Sequence, residues 1–531
     1  MSSSKMIRGT MILTVATFFS KFLGILFVIP YQALTGDEGV FLYQFAYTPY
    51  AIILSISTMG IPLAVSKFVS KYNALGDYET GKRLFRTGLV LMTVTGVAGF
   101  LILFLGAPRI VDLIGVPGQD TDHVILVMRV VSIAVIIVPA MSLMRGYFQG
   151  LESMGPTAVS QTVEQIVRVA FILVSAFVVM KVFDGSAVMA AAMATFAAFV
   201  GAVAGLYVMM RYWIKRKPVS RDRVRVRPKR YHMSLIAMYR ELFAYAVPFV
   251  AVGIAMQLYQ AIDQATLFHY LNYEERTLKT VIADLTMNDQ KLVMIPVALA
   301  TALAASAVPA LAASHASGDR ETVNQKITQA LQLVLFLTIP AAAGLSILGY
   351  MVHGLFYKID PESLEIGGRI LRWYAPSALF FALFQVTASI LQGINRQRVT
   401  LVSLCSGVML KLLLNPVCML FFGMIGPIVA TDIGYLVSIM INVIAIRKAT
   451  NYRFSMIAQQ LVHIIGYTMI MLLVIQLIFL VCGGAFPASR WIAALVVTIC
   501  VLLGGIVYLA LARWTGLLRR VTGRTRRTRT S

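Results

Sequence analysis

Seven ionisable side chains, Lys21, Arg129, Glu164, Arg168, Asp263, Lys411 and Asp432, stand inside long apolar runs rather than in loops. In hydrocarbon each costs about 2.5–3.5 kcal/mol, so such groups normally turn toward a bundle interior or a wet cavity. Lys and Arg placed there are fixed positive charges suited to an anion such as a phosphate, whereas a carboxylate suits a cation or a proton. Lys21 lies mid-run in ATFFSKFLGILFVIP, beside Ser20 and three residues before Gly24, and reads as cavity-facing. Glu164 and Arg168 are four apart on one helix and can pair with each other, a purely structural role that stands beside a binding one. Arg129 and Asp432 fall near span ends, where snorkelling accounts for them. Gln257, Gln260 and Asp263 in AMQLYQAIDQATLF share one helix face. That polar stripe either lines a cavity or hydrogen-bonds between helices.

Enzymatic signatures are missing. No HExxH, CxxC or GxxxxGK[ST] pattern occurs, and the six His are scattered. Cys405, Cys418, Cys482 and Cys500 lie in apolar runs without metal-type spacing and read as reduced packing residues.

The elements that carry these groups follow from composition. Of 531 residues, 59% are hydrophobic and only 13% charged, against about a quarter charged in soluble proteins, so this is a polytopic membrane protein. A net charge of +23 could suggest a nucleic-acid binder. The excess sits in short loops and tails between apolar spans, so anionic membrane lipid is the expected partner and nucleic acid is not. With roughly 20 apolar residues per spanning helix, the pattern predicts an all-α fold of about fourteen transmembrane helices. The first apolar run, from about Met11 to Leu34, has no small-residue cleavage site and is expected to persist as the first span.

Positive charge orients the spans. Residues 211–240 hold eleven Lys or Arg and one Asp between two apolar halves, which marks that segment as cytoplasmic. An even helix count with both termini cytoplasmic places most of the 46 Lys and Arg inside; a missed helix would invert the later loops and destroy the asymmetry. The outer connection YEERTLKTVIADLTMN, 273–288, is expected to form at most a short surface helix.

The halves also resemble one another. Ala74–Thr80, ALGDYET, recurs as Ala316–Thr322, ASGDRET, and Phe148-Gln-Gly150 recurs as Leu391-Gln-Gly393 at nearly the same offset. The expected organisation is a six-helix lobe (1–210), a basic bridge (211–240), a second six-helix lobe (241–450), two extra helices (451–516) and a basic tail (517–531). Pro30, Pro49, Pro139, Pro248, Pro340, Pro376 and Pro416 suit bent helices around a cavity.

At SKFLG (20–24), SLMRGYFQGLESMGPTAVSQTVEQIVRV (142–169) and KLVMIPVALATALAASAVPAL (291–311), the chain resembles the MOP exporter superfamily, in particular its MurJ-like and stage V sporulation protein B-like polysaccharide exporters. The resemblance covers essentially the whole chain. It implies two V-shaped lobes around a cavity that carries undecaprenyl-pyrophosphate-linked sugar, most of all lipid II, from the inner to the outer leaflet of a bacterial cytoplasmic membrane. It assigns substrate contact to Ser20 and Lys21 on helix one and Lys291 on helix eight; Arg129, Glu164, Arg168, Gln257 and Gln260 are further candidates from their placement in the spans. Both helix-one and helix-eight cations are Lys where Gram-negative members have Arg, which keeps charge and loses the bidentate fork. Two departures stand out: Phe27 and Val28 occupy the positions of an Arg-Asp pair in those members, and Ile53 that of a further basic residue. The family's sodium site maps onto Asp263, Asn415 and Thr431, although its further acid is Met419 here. No cofactor is implied; sodium or proton coupling is, and the cell-wall synthesis machinery is the implied protein partner.

Other functions compete. A MATE-like cation-coupled drug antiporter of the same superfamily would favour carboxylates over Lys21 in the first lobe and needs only twelve helices. A glycosyltransferase using the same lipid-linked substrate would need a catalytic carboxylate in a sizeable outer loop; the loops are short. A non-transporting scaffold would rest on the bridge and tail alone.

Overall fold

The computed structural model describes residues 3–58, 60–74, 77–116, 118–151, 153–215, 239–240, 243, 247, 250–305, 311–312, 314–315, 317–357, 359–482, 486–487 and 489–518. Most of the basic bridge and nearly all of the basic tail lie outside the described residues.

Every regular element among the described residues is helical. In order they are α1 (Ser3–Leu26), α2 (Val28–Thr58), α3 (Ile61–Ala74), α4 (Tyr78–Ile114), α5 (Gly118–Ser132), α6 (Ala134–Gly150), α7 (Met154–Phe177), α8 (Ala187–Lys215), α9 (Ala255–Tyr270), α10 (Glu275–Thr286), α11 (Asn288–Ala305), α12 (Arg320–Ile347), α13 (Gly349–Phe356), α14 (Pro361–Tyr374), α15 (Ser377–Gly393), α16 (Gln397–Phe422), α17 (Gly426–Thr450), α18 (Ser455–Cys482) and α19 (Arg490–Trp514). Ten helical stretches among the described residues are long and apolar enough to cross a membrane, and the 54-residue stretch Gln397–Thr450 contains both α16 and α17. Large apolar side chains such as Leu105, Phe421, Val481 and Trp491 point outward, as a lipid-facing surface requires.

Several apolar runs of the sequence are interrupted, with α1 parted from α2 at Phe27 and α12 from α13 at Leu348. The run 40–72 breaks at Gly60, whose φ of 63° is a left-handed conformation that glycine tolerates. Run 123–149 divides after Ser132, and run 368–393 divides at Ala375 and Pro376. The connection 273–288 also differs from expectation: α10 is packed rather than superficial, because its apolar face, Leu278, Val281, Ile282 and Leu285, is buried.

The sequence repeat is a repeat of helix ends. Asp77 caps α4, its Oδ1 accepting from Thr80 N at 3.0 Å, while its own N–H donates to Tyr72 O. Asp319 caps α12 in the same way, with Thr322 N at 3.0 Å and Ser314 O as acceptor. After Gly150 the Ser153 N–H returns to Phe148 O, and after Gly393 the Arg396 N–H returns to Leu391 O. One of the orphan N–H groups of a helix start and one carbonyl near a helix end are thus satisfied from matching positions in both halves.

Contacts group the described chain into Met1–His269 and Tyr270–Ser531. Helix α9, assigned from sequence to the second lobe, falls almost wholly in the first group: Gln264 Nε2 donates to Thr48 Oγ1 at 3.1 Å and to Gln44 O at 3.3 Å, and Phe268 packs on Phe41 and Phe45 of α2.

Candidate functional site

In the first unit the polar groups converge on α7. Its SQ-x-x-EQ-x-x-R sequence presents two faces. Ser160, Glu164 and Arg168 form the inner one. Glu164 bridges two guanidiniums: Oε1 accepts from Arg168 at 2.7 Å and Oε2 from Arg145 of α6 at 2.8 Å. Arg145 also donates to Ser160 Oγ at 2.7 Å, and Ser160 donates to Gly205 O of α8 at 2.9 Å. The cluster carries two cations against one carboxylate. Arg168 further lies among the phenols Tyr43, Tyr47 and Tyr50 of α2.

Glycine on α8 makes this cluster fit. A Cβ on Gly205 would stand 3.0 Å from an Arg145 nitrogen, and one on Gly201 would stand 2.9 Å from Glu164 O. Small residues let helices approach closely inside a membrane, and here the polar residues supply the hydrogen bonds between them.

The other face of α7 meets α1. Thr17 Oγ1 donates to Gln161 Oε1 at 3.4 Å, and Gly24 brings α1 close to Gln165. Ser20 is buried in this seam and Lys21, next to it, is exposed at its edge. Where Gram-negative relatives are expected to carry an Arg-Asp pair, Phe27 is buried against Tyr31 and Tyr43. An aromatic cluster fills that position, so a charge there has no room.

The remaining candidates do not join this constellation. Arg129 donates to Phe104 O at 3.3 Å and stacks on the Phe104 ring, as a side chain anchored on the neighbouring helix α4 does. Gln260 and Asp263 are buried in α9, Gln257 is partly buried, and Gln264, which the three-residue stripe had not included, hydrogen-bonds to α2. Lys291 is half-buried on α11.

In the second unit the residues matched to a sodium site meet a resident cation. The Lys411 ammonium, fully buried, donates to Thr431 Oγ1 at 2.5 Å and to Pro427 O at 3.1 Å, and Thr431 in turn donates to Pro427 O at 2.7 Å. Asn415 is buried on the same helix as Lys411. Asp263 belongs to the first unit, so the second unit itself offers Thr431 with its oxygen already engaged by Lys411.

Sequence reasoning did not single out Arg145, and it missed a buried polar group at the start of α11. There His353 Nδ1 lies 2.9 Å from Asp289 Oδ1, Asn288 Nδ2 donates to Asp284 Oδ1 at 2.8 Å, and Tyr357 Oη donates to Asn288 O at 2.9 Å. Burial, with the Asp289 and Asp284 carboxylates beside it, pushes the Tyr357 phenol well above its ordinary range, so it remains a neutral donor. The available signal was the density of polar residues in ADLTMNDQ just ahead of an apolar run.

Residues 6–315 match the polysaccharide biosynthesis protein family, and residues 248–417 match the MatE family. The chain is 42% identical over 532 aligned residues to the lipid II flippase MurJ of Bacillus subtilis (strain 168), covering 98% of this chain and 97% of that protein. It is 31% identical to stage V sporulation protein B of the same organism over 176 residues, 33% of each chain. Among solved structures, lipid II flippase MurJ in an inward closed conformation aligns with TM-score 0.64 at 16% identity, covering 96% of this chain and 99% of that one. An inward-facing multidrug resistance MATE transporter of the MOP superfamily aligns with TM-score 0.67 at 15% identity over 81% of this chain and 94% of its own.

Proposed function

This chain belongs to the polysaccharide biosynthesis protein family of the MOP superfamily, and from that premise we propose that it is a lipid II flippase, a transporter rather than an enzyme, of the bacterial cell membrane. The observation that carries the reading is the 42% identity to a lipid II flippase over nearly the full length of both chains. The chemistry of the first unit agrees with it. A pyrophosphate needs fixed positive charge in a partly desolvated place, and Lys21 stands exposed at the edge of a seam whose other helix carries a net cationic cluster. The polyprenyl tail needs only lipid.

The finer reading is fourteen spans in two six-helix lobes plus two C-terminal helices, with both termini cytoplasmic and the lobe boundaries as expected from sequence. The helix-end repeat at Asp77 and Asp319 supports the duplication. Lys21 and Lys291 would contact pyrophosphate, and the bridge and tail would lie on anionic lipid. Asp263 is the carboxylate best suited to a coupling cation, because an anionic substrate would be repelled by it. Such an ion must bind the two lobe arrangements unequally, since equal affinity shifts no population. A proton needs Asp263 alone; sodium at Thr431 would have to compete with the Lys411 ammonium.

Replacement tests the site. In a strain depleted of its own flippase, Lys21→Ala should fail to support growth and should leave lipid II on the inner leaflet while the protein accumulates normally; Lys21→Arg should keep much of the activity. Full complementation by Lys21→Ala at native expression would remove helix one from the substrate path. Purified protein in vesicles should translocate labelled lipid II and not cationic dyes; the reverse would favour a drug antiporter. For orientation, single cysteines at Ser220 and Thr525 should react only from the cytoplasm and one at the exposed Glu275 only from outside.

A further inference from the structure

Among the described residues, the polar group at the start of α11 gathers three buried side chains able to hold a cation. Asp284 at the end of α10, Asp289 at the start of α11 and His353 of α13 each offer a ligand atom, and these atoms lie within 4.8 Å of one another. All three residues are buried, exposed by 1%, 0% and 2%. Two carboxylates and one imidazole are oxygen and nitrogen donors of the kind that hold a cation, and a buried carboxylate is costly without a partner cation, a proton or a metal.

The oxygens argue for an ion. Asp289 spends Oδ1 on His353, while its Oδ2 is buried without a hydrogen-bond partner. Asn288 is fully buried, points its carboxamide into the group by donating Nδ2 to Asp284, and leaves its Oδ1 without a partner. These are two acceptors with no donor, and a shared proton would serve only one of them.

The surroundings hold the group in place. Tyr357 fixes the backbone carbonyl of Asn288, and Arg490 at the start of α19 donates to the carbonyl of Tyr357. Gly367 of α14 leaves room for the imidazole: a Cβ there would stand 2.0 Å from His353 Cε1.

We propose that Asp284, Asp289 and His353, assisted by Asn288, form a binding site for one divalent transition-metal cation of the zinc class. Ligand atoms about 2.0–2.2 Å from a tetrahedral zinc stand about 3.3 Å apart; His353 Nδ1 and Asp289 Oδ1, 2.9 Å apart, are close to that spacing, and the Asp284 oxygen, within 4.8 Å of both, closes on the ion by up to about 1.5 Å. One neutral imidazole with two carboxylates balances the dication, and the imidazole favours zinc over magnesium, calcium and manganese, which prefer oxygen ligands. The bound ion would clamp α10, α11 and α13 together. This assignment does not depend on the transported substrate.

The test uses the full-length, tag-free protein in detergent, stripped with chelator and titrated with zinc chloride alone, with metal counted by mass spectrometry after desalting. About one zinc per chain is expected, and magnesium or calcium at the same concentration should not displace it. His353→Gln and Asp284→Asn should each weaken binding about 100-fold or more, and Asn288→Ala about 10- to 100-fold as a supporting residue. Because binding displaces protons, affinity should fall as pH is lowered. Cobalt substituted in the wild type should give a d–d spectrum of a nitrogen and oxygen site, a readout that stands even if a variant does not fold. Substoichiometric zinc in the wild type, or zinc retained equally by His353→Gln and Asp284→Asn, would overturn the site.

Discussion

Helices α7 and α16 occupy matching places in the two halves, and they hold their buried cations differently. Arg168 and Lys411 are separated by the same 243 positions as Gly150 and Gly393, and Ser160 and Ser403 by that number again. Helix α7 packs closely on α8, and α16 on α17. In α7 the cation faces a carboxylate that it shares with Arg145; in α16 the position matching Glu164 is Gly407, and Lys411 is held by a hydroxyl and a backbone carbonyl. A cation shared between charges can exchange partners with a visiting anion. Lys411 instead joins α16 to α17 through Thr431 and Pro427, with the Asp432 carboxylate also interacting with it.

The largest expected effect is at the shared carboxylate. Glu164→Gln leaves two guanidiniums facing each other with 15% and 19% side-chain exposure. Breaking a buried pair costs about 3–5 kcal/mol, and the residual exposure places this case toward the lower end. Thermal unfolding in detergent should show a much lower midpoint and poor accumulation in the membrane. A variant as stable as the wild type would mean that the guanidiniums are well solvated and the contrast with α16 is only apparent.

Next comes the locked cation. Lys411→Met keeps the stem and removes the donor, leaving Pro427 O and Thr431 Oγ1 short of one hydrogen bond, at a cost of about 1–3 kcal/mol. Flipping by the folded fraction should persist, and its response to sodium should grow if Thr431 becomes available to an ion. Loss of flipping at full stability would move Lys411 from a structural to a transport role. Gly205→Val should cost a similar amount, about 1–3 kcal/mol, by pushing into Arg145 and Met141.

Much of this was legible in the sequence, and particular residues show where legibility ended. Apolar run length and loop charge gave a polytopic helical protein because hydrocarbon leaves the backbone few alternatives. The pairing of Glu164 with Arg168 follows from a spacing of four. Arg145 joins them across 19 residues, and nothing local to its sequence reveals that. Gln264 was passed over although it lies on the face of Gln257 and Gln260, four residues after the second, because a polar stripe alone does not say which of its residues meets α2. The buried Asp284 was read as an outer loop residue because the apolar face of α10 is only two turns long. The correspondence of Arg168 with Lys411 was available from the repeat offset, but its meaning required knowing that Thr431 and Pro427 surround one and Glu164 the other.

The smallest effect separates the halves at their repeated caps. Asp77 and Asp319 make the same bond to the backbone three residues on, yet Asp77 is buried and Asp319 is exposed. Asp77→Ala should cost about 1 kcal/mol, as loss of a helix cap typically does, with the desolvated Thr80 hydroxyl bond lost as well. Asp319→Ala should cost less, since water replaces the lost acceptor. The Thr322 hydrogen bonds hold the Asp319 carboxyl below the usual carboxylate range. A depressed folded-state value means that its stabilisation is complete above the unfolded-state value, about 3.9, and is lost as pH falls through the folded one. The wild type and Asp319→Ala should therefore differ most near neutral pH and converge in acid. If the difference instead widens as pH falls, Asp319 is not acting as a charged cap, and the two helix starts, alike in geometry, are unlike in energetics.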